Sequence, residues 1–196
     1  EIGFEVPLGP IQRPTDLVCA SVMQHGQVTE ELYFSHDVYA PRAVRLYPDA
    51  EDYRRGLLHV TVLTRSDDRR FSGRQYEFEF RVSAQSGRIP QIRLTAPASG
   101  AVLDGPAFVT ARAEADPANG VAEVAIFLGP KCLGRAAGAA CSAAVEMGPP
   151  QSRLPCGDHT LWAAARTADG LVVASAPHAF KVRAAVQQAA FQQTSE

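Results

Sequence analysis

Leu154-Pro-Cys-Gly-Asp-His-Thr-Leu-Trp-Ala-Ala-Ala-Arg-Thr-Ala-Asp-Gly170 is the stretch whose reading decides the fold. After Gly157 the apolar residues Leu161, Ala163 and Ala165 recur with a period of two, which puts them on one face of a strand. Ala168-Asp169-Gly170 then turns the chain. Trp162 alternates with that set and falls on the opposite, outer face. Upstream, Val109, Ala111, Ala113 and Ala115 alternate up to Asp116-Pro-Ala-Asn-Gly120, and Val124, Ile126 and Leu128 alternate up to Gly129-Pro130. Short alternating strands punctuated by Gly, Pro, Asp and Asn predict an antiparallel β-sandwich.

The first half scans the same way. A hairpin is expected around His25-Gly26, with Val18, Ala20 and Val22 facing Val28, Leu32 and Phe34, Glu30 being the odd residue on that face. Leu58, Val60 and Val62 alternate next, then Tyr76, Phe78, Phe80 and Val82 with Glu77, Glu79 and Arg81 facing the other way. Pro48 followed by acids suits the first turn of one short helix. The fold class is therefore all-β: two tandem antiparallel β-sandwich domains, 1–83 and 91–183, joined by a linker at 84–90. Residues 184–196 form a polar C-terminal tail or linker.

Ile92 to Gly100, Val109 to Asp116, Gly120 to Leu128, and Gly157 to Leu161 followed by Arg166-Thr-Ala-Asp-Gly170 together resemble a bacterial immunoglobulin-like domain of secreted and surface proteins. The resemblance covers about 89–183 and rests on strand and turn spacing. It implies a fold and an extracellular habit, and no activity by itself. Tyr53-Arg-Arg-Gly-Leu-Leu-His-Val-Thr-Val62 is similar to the β-rich region that follows the von Willebrand A-type domain in some bacterial secreted proteins, with no site carried over.

The net charge of −2 is spread through the 196 residues, so the one-signed field of a nucleic-acid binder is missing and no nucleic acid is expected as partner. No apolar run approaches the roughly 20 residues of a membrane-spanning helix, and no transmembrane segment is expected. The sequence opens without an initiator methionine or an apolar leader, as a processed product or excised fragment would. The expected location is secreted, cell surface or periplasmic.

Cysteines stand at 19, 132, 141 and 156, and in a small secreted domain an even set reads as disulfides. A turn centred on Arg135 to Gly138 would place Cys132 opposite Cys141 on paired strands. Their Cβ atoms would then lie roughly 4.5–5.5 Å apart, which is the approach a bridge requires. Cys141 with Cys156 is the competing pair, and Cys19 is read as a buried free thiol. Cys132, Cys141, Cys156 and His159 also form a nominal zinc set, but the gap between Cys132 and Cys141 is wrong for paired zinc ligands. Asp116 with Asn119, Asp67 with Asp68, and Asp49 with Asp52 offer oxygens for calcium, without the dense carboxylates such a loop needs.

No Gly-x-Ser-x-Gly elbow, His-Glu-x-x-His or phosphate loop is present. His36-Asp37 beside Tyr39 points to opposite sides of an extended segment, so no catalytic residue, metal or cofactor is expected. Two roles remain. One is a non-catalytic structural or interaction module that assembles by strand pairing, with residues 2–7 donating Ile2, Phe4 and Val6 to the edge of a neighbouring copy. The other is an accessory carbohydrate- or peptide-binding module of a secreted enzyme, with Trp162, Tyr39 and Tyr53 as its binding aromatics. Its expected partners are other domains or copies of the protein, or a glycan or surface ligand.

Overall fold

The computed structural model describes residues 2–4, 18–34, 42–66, 74–84, 88–104, 107–116, 120–147 and 156–183. The protein is all-β, two antiparallel sandwiches in tandem. In the N-terminal unit β2 (Val18–Gln24), β3 (Gln27–Phe34), β5 (Leu57–Ser66) and β6 (Gln75–Arg81) form one sheet in the order β3-β2-β5-β6. The second layer is a ribbon of β1 (Ile2–Phe4) on β4 (Arg42–Val44). Ala20, Val22, Leu32, Leu58, Val60 and Val62 close on Val44 of that ribbon, so the predicted alternation does fill a core.

The β2–β3 hairpin turns on His25 (φ 54) and Gly26 (φ 72). Two successive left-handed residues are what a two-residue turn matched to strand twist requires, and Gly26 takes that conformation without steric cost. One expectation fails in this hairpin. Val22 pairs with Glu30 but Met23 pairs with Val28, so Thr29 is an extra residue in β3. The bulge flips the alternation: Val28 leaves the core face and Gln27, partnered with Gln24, takes its place.

The C-terminal sandwich has a three-stranded sheet, β12-β9-β7, built from β7 (Ile92–Ala96), β9 (Ala107–Ala115) and β12 (Ala140–Met147). Opposite lies a six-stranded sheet in the order β11-β10-β13-β15-β8, with β14 also on β13. Its strands are β8 (Val102–Asp104), β10 (Val121–Leu128), β11 (Lys131–Ala137), β13 (Gly157–Thr167), β14 (Val172–Ala174) and β15 (His178–Arg183). Leu161, Ala163 and Ala165 from β13, Val124 and Ile126 from β10, and Ala111, Ala113 and Ala115 from β9 share one core, as their period of two dictates. Among the described residues all pairings are antiparallel except β15 on β8. Between β14 and β15 the ladder breaks at Ser175, whose Oγ accepts the Ala163 N–H (3.0 Å) and whose N–H reaches the Ala163 carbonyl (2.8 Å). That buried serine carries the pairing across the gap.

The expected Cys132–Cys141 bridge is not formed; all four cysteines are free thiols. The chain reverses at Gly138-Ala139, later than the turn that would oppose them, and it crosses to the other sheet as it does so. β11 pairs only with β10, and β12 only with β9. Cys132 is exposed, while Cys141 points into the sandwich core. Where β11 passes over β12, a side chain at Gly134 would come 3.2 Å from the Ala143 Cβ, so a small-residue seam sets this sheet-to-sheet approach. The competing Cys141–Cys156 bridge is likewise absent, with Cys156 exposed. Cys19 is half-buried.

Candidate functional site at the joint between the sandwiches

The outer face of β10 and β13 carries Ala125 and Phe127 beside Ala164 and Trp162, and these are buried. Trp162 does face outward, as its alternation predicts, but the N-terminal unit covers it. Its ring stacks on Phe127 (centroids 4.2 Å, 10°), and Tyr47 meets it edge-on at 4.8 Å. The indole N–H donates to the Gly129 carbonyl at 2.7 Å, which meets the hydrogen-bond need of a buried tryptophan.

Tyr47 is held in place through its backbone. Gln24, 1 % exposed at the end of β2, accepts the Tyr47 N–H on Oε1 (2.8 Å). Its Nε2 donates to the Arg45 carbonyl (3.0 Å) and to Thr29 Oγ1 (2.9 Å). His25 Nε2 donates to the Tyr47 carbonyl at 2.8 Å. Glu30, the acid that broke the apolar pattern of β3, accepts the Arg45 N–H at 3.2 Å. The β2–β3 hairpin thus supplies an extended-chain partner for residues 45–47 out of side chains, which fixes the direction of the Tyr47 ring.

Immediately after it, helix α1 (Ala50–Arg55) starts at Asp49 in a capping box. Asp49 Oδ1 accepts the Glu51 and Asp52 N–H groups, and Asp52 Oδ2 accepts the Asp49 N–H. The helix ends on Gly56. Two more bonds cross the joint here: Tyr53 donates its hydroxyl to the Val172 carbonyl, and the Ala174 N–H donates to the Pro48 carbonyl, both 2.8 Å. Burial, and then the Asp52 charge, push the Tyr53 phenol up to about 12. Burial also pushes the Asp52 carboxyl up, against the opposing pull of the Asp49 N–H and of His25.

His25, Asp49 and Asp52 are the one group of three metal-capable side chains that come together among the described residues. Their polar atoms are already engaged: the carboxylates cap α1, and His25 holds Tyr47 while lying 3.5 Å from Asp49 and 3.4 Å from Asp52. The arrangement is a structural interlock. The nominal zinc residues do not gather: Cys132 and Cys156 are exposed, Cys141 is in the core, and His159 packs on Phe180 (5.5 Å).

The predicted aromatic platform is not an exposed surface. Trp162 is buried and Tyr53 is spent on Val172; Tyr39 lies outside the described residues, as do His36 and Asp37. The strand offered for donation has a partner within its own chain: Ile2, Gly3 and Phe4 pair antiparallel with Val44, Ala43 and Arg42, which occupies one edge of β1. Val6 lies outside the described residues. Tyr47, in a segment without periodicity, was read from sequence only as a candidate member of the aromatic platform, and its role in sealing the joint was missed. Its signal was Gln24, an amide following Val18, Ala20 and Val22 on the apolar face of β2, since a buried amide implies nearby backbone to satisfy.

Beside the aromatic cluster lies a cleft of about 350 Å³ between the units. Ala125, Ala164 and Val172 line its floor, Tyr47 and Phe127 one end, and Arg45, Arg135, Arg166 and Glu123 its rim.

Residues 90–163 match the bacterial Ig domain family. No curated protein matches the chain. Among solved structures, the fibronectin(III)-like modules of Clostridium thermocellum CbhA align with 47% of this chain and 94% of that one, at 17% identity and a TM-score of 0.41. The sulfur carrier protein SoxY from Chlorobium limicola f thiosulfatophilum aligns with 47% of this chain and 78% of its own, at 15% identity and 0.35. Bacteroides ovatus SGBP-B of a mixed-linkage glucan utilization locus, solved with a mixed-linkage heptasaccharide, aligns with 86% of this chain and 38% of its own, at 15% identity and 0.25.

Proposed function

Taking the C-terminal sandwich as a bacterial Ig-like domain, we propose that the chain is a stiff, non-catalytic spacer in a bacterial extracytoplasmic protein, holding what lies on either side at a fixed angle. The observation that carries this is the burial of Trp162 and Phe127 under Tyr47. An outer sheet face that a free sandwich would show to water is instead shared between the units, and rigid aromatic packing resists hinge motion at a joint. The units are read as 1–83 and 91–183 with a short link at 84–90. Among the described residues no helix is long and apolar enough to cross a membrane.

Assembly by edge pairing has less support. Beyond the internal use of β1, the open strand β6 exposes Glu77, Glu79 and Arg81, and the open strand β11 exposes Lys131 and Arg135. Charges on edge strands oppose pairing with another copy. Single-molecule energy transfer between dyes on β3 and β12 tests the spacer: one narrow distance distribution, unchanged from low to high salt, is expected. A broad or salt-dependent distribution contradicts it.

A further inference from the structure

We infer that the cleft at the joint binds a small ring-bearing carboxylate, of which a hexuronate unit of an acidic glycan is the type. This goes beyond the spacer reading and stands on different residues.

The floor comes first. On the outer face of β10 and β13 the cross-strand pairs run from Glu123 with Arg166, through Ala125 with Ala164, to Phe127 with Trp162. Two alanines between a charged pair and an aromatic pair leave a trough, because a methyl group fills far less of a sheet face than its neighbours on either side. Tyr47 stands across the aromatic end, edge-on to Phe127 at 5.7 Å. The resulting space of about 350 Å³ is at the small end for ligand sites, the size of a compact ring, and domain joints are where such sites concentrate.

The rim decides the charge. Arg45, Arg135 and Arg166 face one carboxylate on it, Glu123. Glu123 is divided between two of them, with Oε1 3.6 Å from Arg135 and Oε2 3.6 Å from Arg166. Both distances exceed hydrogen-bond length, and although Arg135 also bonds Cys132, a guanidinium carries five N–H donors, so the forks keep donors for another carboxylate. With Glu30 counted beneath Arg45, positive charge still exceeds negative. An apolar floor under a guanidinium rim fits a ligand with a flat apolar face and one carboxylate at its edge, which is the shape of a pyranose uronic acid.

The chain's sole tryptophan, Trp162, is packed against Tyr47 and Phe127, the residues at the end of this trough, and is therefore a built-in probe. The experiment titrates the intact chain with D-glucuronate and D-galacturonate, following Trp162 emission, with D-glucose and acetate as comparators. A saturable response to a uronate that glucose does not give is expected. Arg135→Gln and Arg166→Gln, at positions about half exposed, leave the melting temperature unchanged and weaken uronate binding about tenfold each. Arg93→Gln, on the other sheet beside Glu114, has no effect. Ala164→Leu, which fills the trough, abolishes the response. No saturation with either uronate overturns the inference, as does equal binding of glucose. Acetate binding as well as the uronates, or undiminished binding by both arginine variants, also overturns it.

Discussion

Replacing Tyr47 with alanine removes the ring that seals the joint. The ring is 9 % exposed and makes edge contacts with Trp162 and Phe127. Each aromatic pair contributes roughly 0.5–1.5 kcal/mol beyond area burial, and truncating a buried aromatic to alanine costs about 3–5 kcal/mol in a closed core. The joint lies beside an open cleft and water can fill the space, so the low end, about 3 kcal/mol, is the working figure. That is roughly a hundredfold in the equilibrium between docked and separated units. Urea unfolding of wild type and Tyr47→Ala, followed by both Trp162 emission and far-ultraviolet circular dichroism, is the assay. In wild type the two signals change together. In the variant the native emission shifts to the red, and the N-terminal sheet unfolds at lower urea than the sandwich. Unshifted emission together with coincident transitions would refute the argument that Tyr47 couples the units.

Gln24→Leu leaves the Tyr47 N–H and the Arg45 carbonyl without their partner in a buried setting, which costs about 1–3 kcal/mol per group; a melting curve within a degree of wild type would contradict the clamp. Tyr53 is neutral in the fold up to about 12 against about 10 in an unfolded chain, so its contribution is present below pH 10 and is lost as pH rises from 10 to 12. At full strength that loss is about 2.7 kcal/mol, and roughly half of it for a partly exposed hydroxyl; alkaline denaturation of Tyr53→Phe, which cannot ionise there, should be shallower over this range, and an identical profile counts against the Tyr53–Val172 contact. Thiol titration should find Cys132 and Cys156 reactive in the native protein. Cys141, buried and with its thiol pushed up by burial and the nearby Cys132, should react only after unfolding, and a mass-spectrometric 132–141 cross-link would restore the bridge.

The core was legible because its signal is local. Leu161, Ala163 and Ala165, or Leu58, Val60 and Val62, declare their face by period alone, and the structure buries all six. Pro48 and the acids after it declared a short helix by local chemistry, and the structure starts that helix at Asp49, whose capping box with Asp52 was not read. What could not be read depends on counting or on distance. Thr29 adds one residue to β3 and thereby exchanges Val28 for Gln27, and no composition signal marks such a bulge. The Cys132–Cys141 expectation failed on the position of one turn and on a change of sheet, which spacing does not encode. Trp162 was placed on the correct face, but what lies over that face belongs to a segment 115 residues earlier by 162 − 47. Its direction is set by Gln24 and His25, themselves remote from it in sequence.

The parallel pairing of Lys181, Val182 and Arg183 of β15 with Val102, Leu103 and Asp104 of β8 has a mechanical meaning where the chain is tethered at both ends. A pull from the N-terminal side is taken first by β7 on β9 and beyond it reaches the start of β8, while a pull from the C-terminal side leaves through the end of β15. Because the two strands run the same way, these pulls act in opposite directions along a common axis. Their hydrogen bonds are loaded in shear, all at once, where a hairpin pulled from its open end would release them one after another. Tension that passes β7 therefore meets a clamp at the edge of the six-stranded sheet.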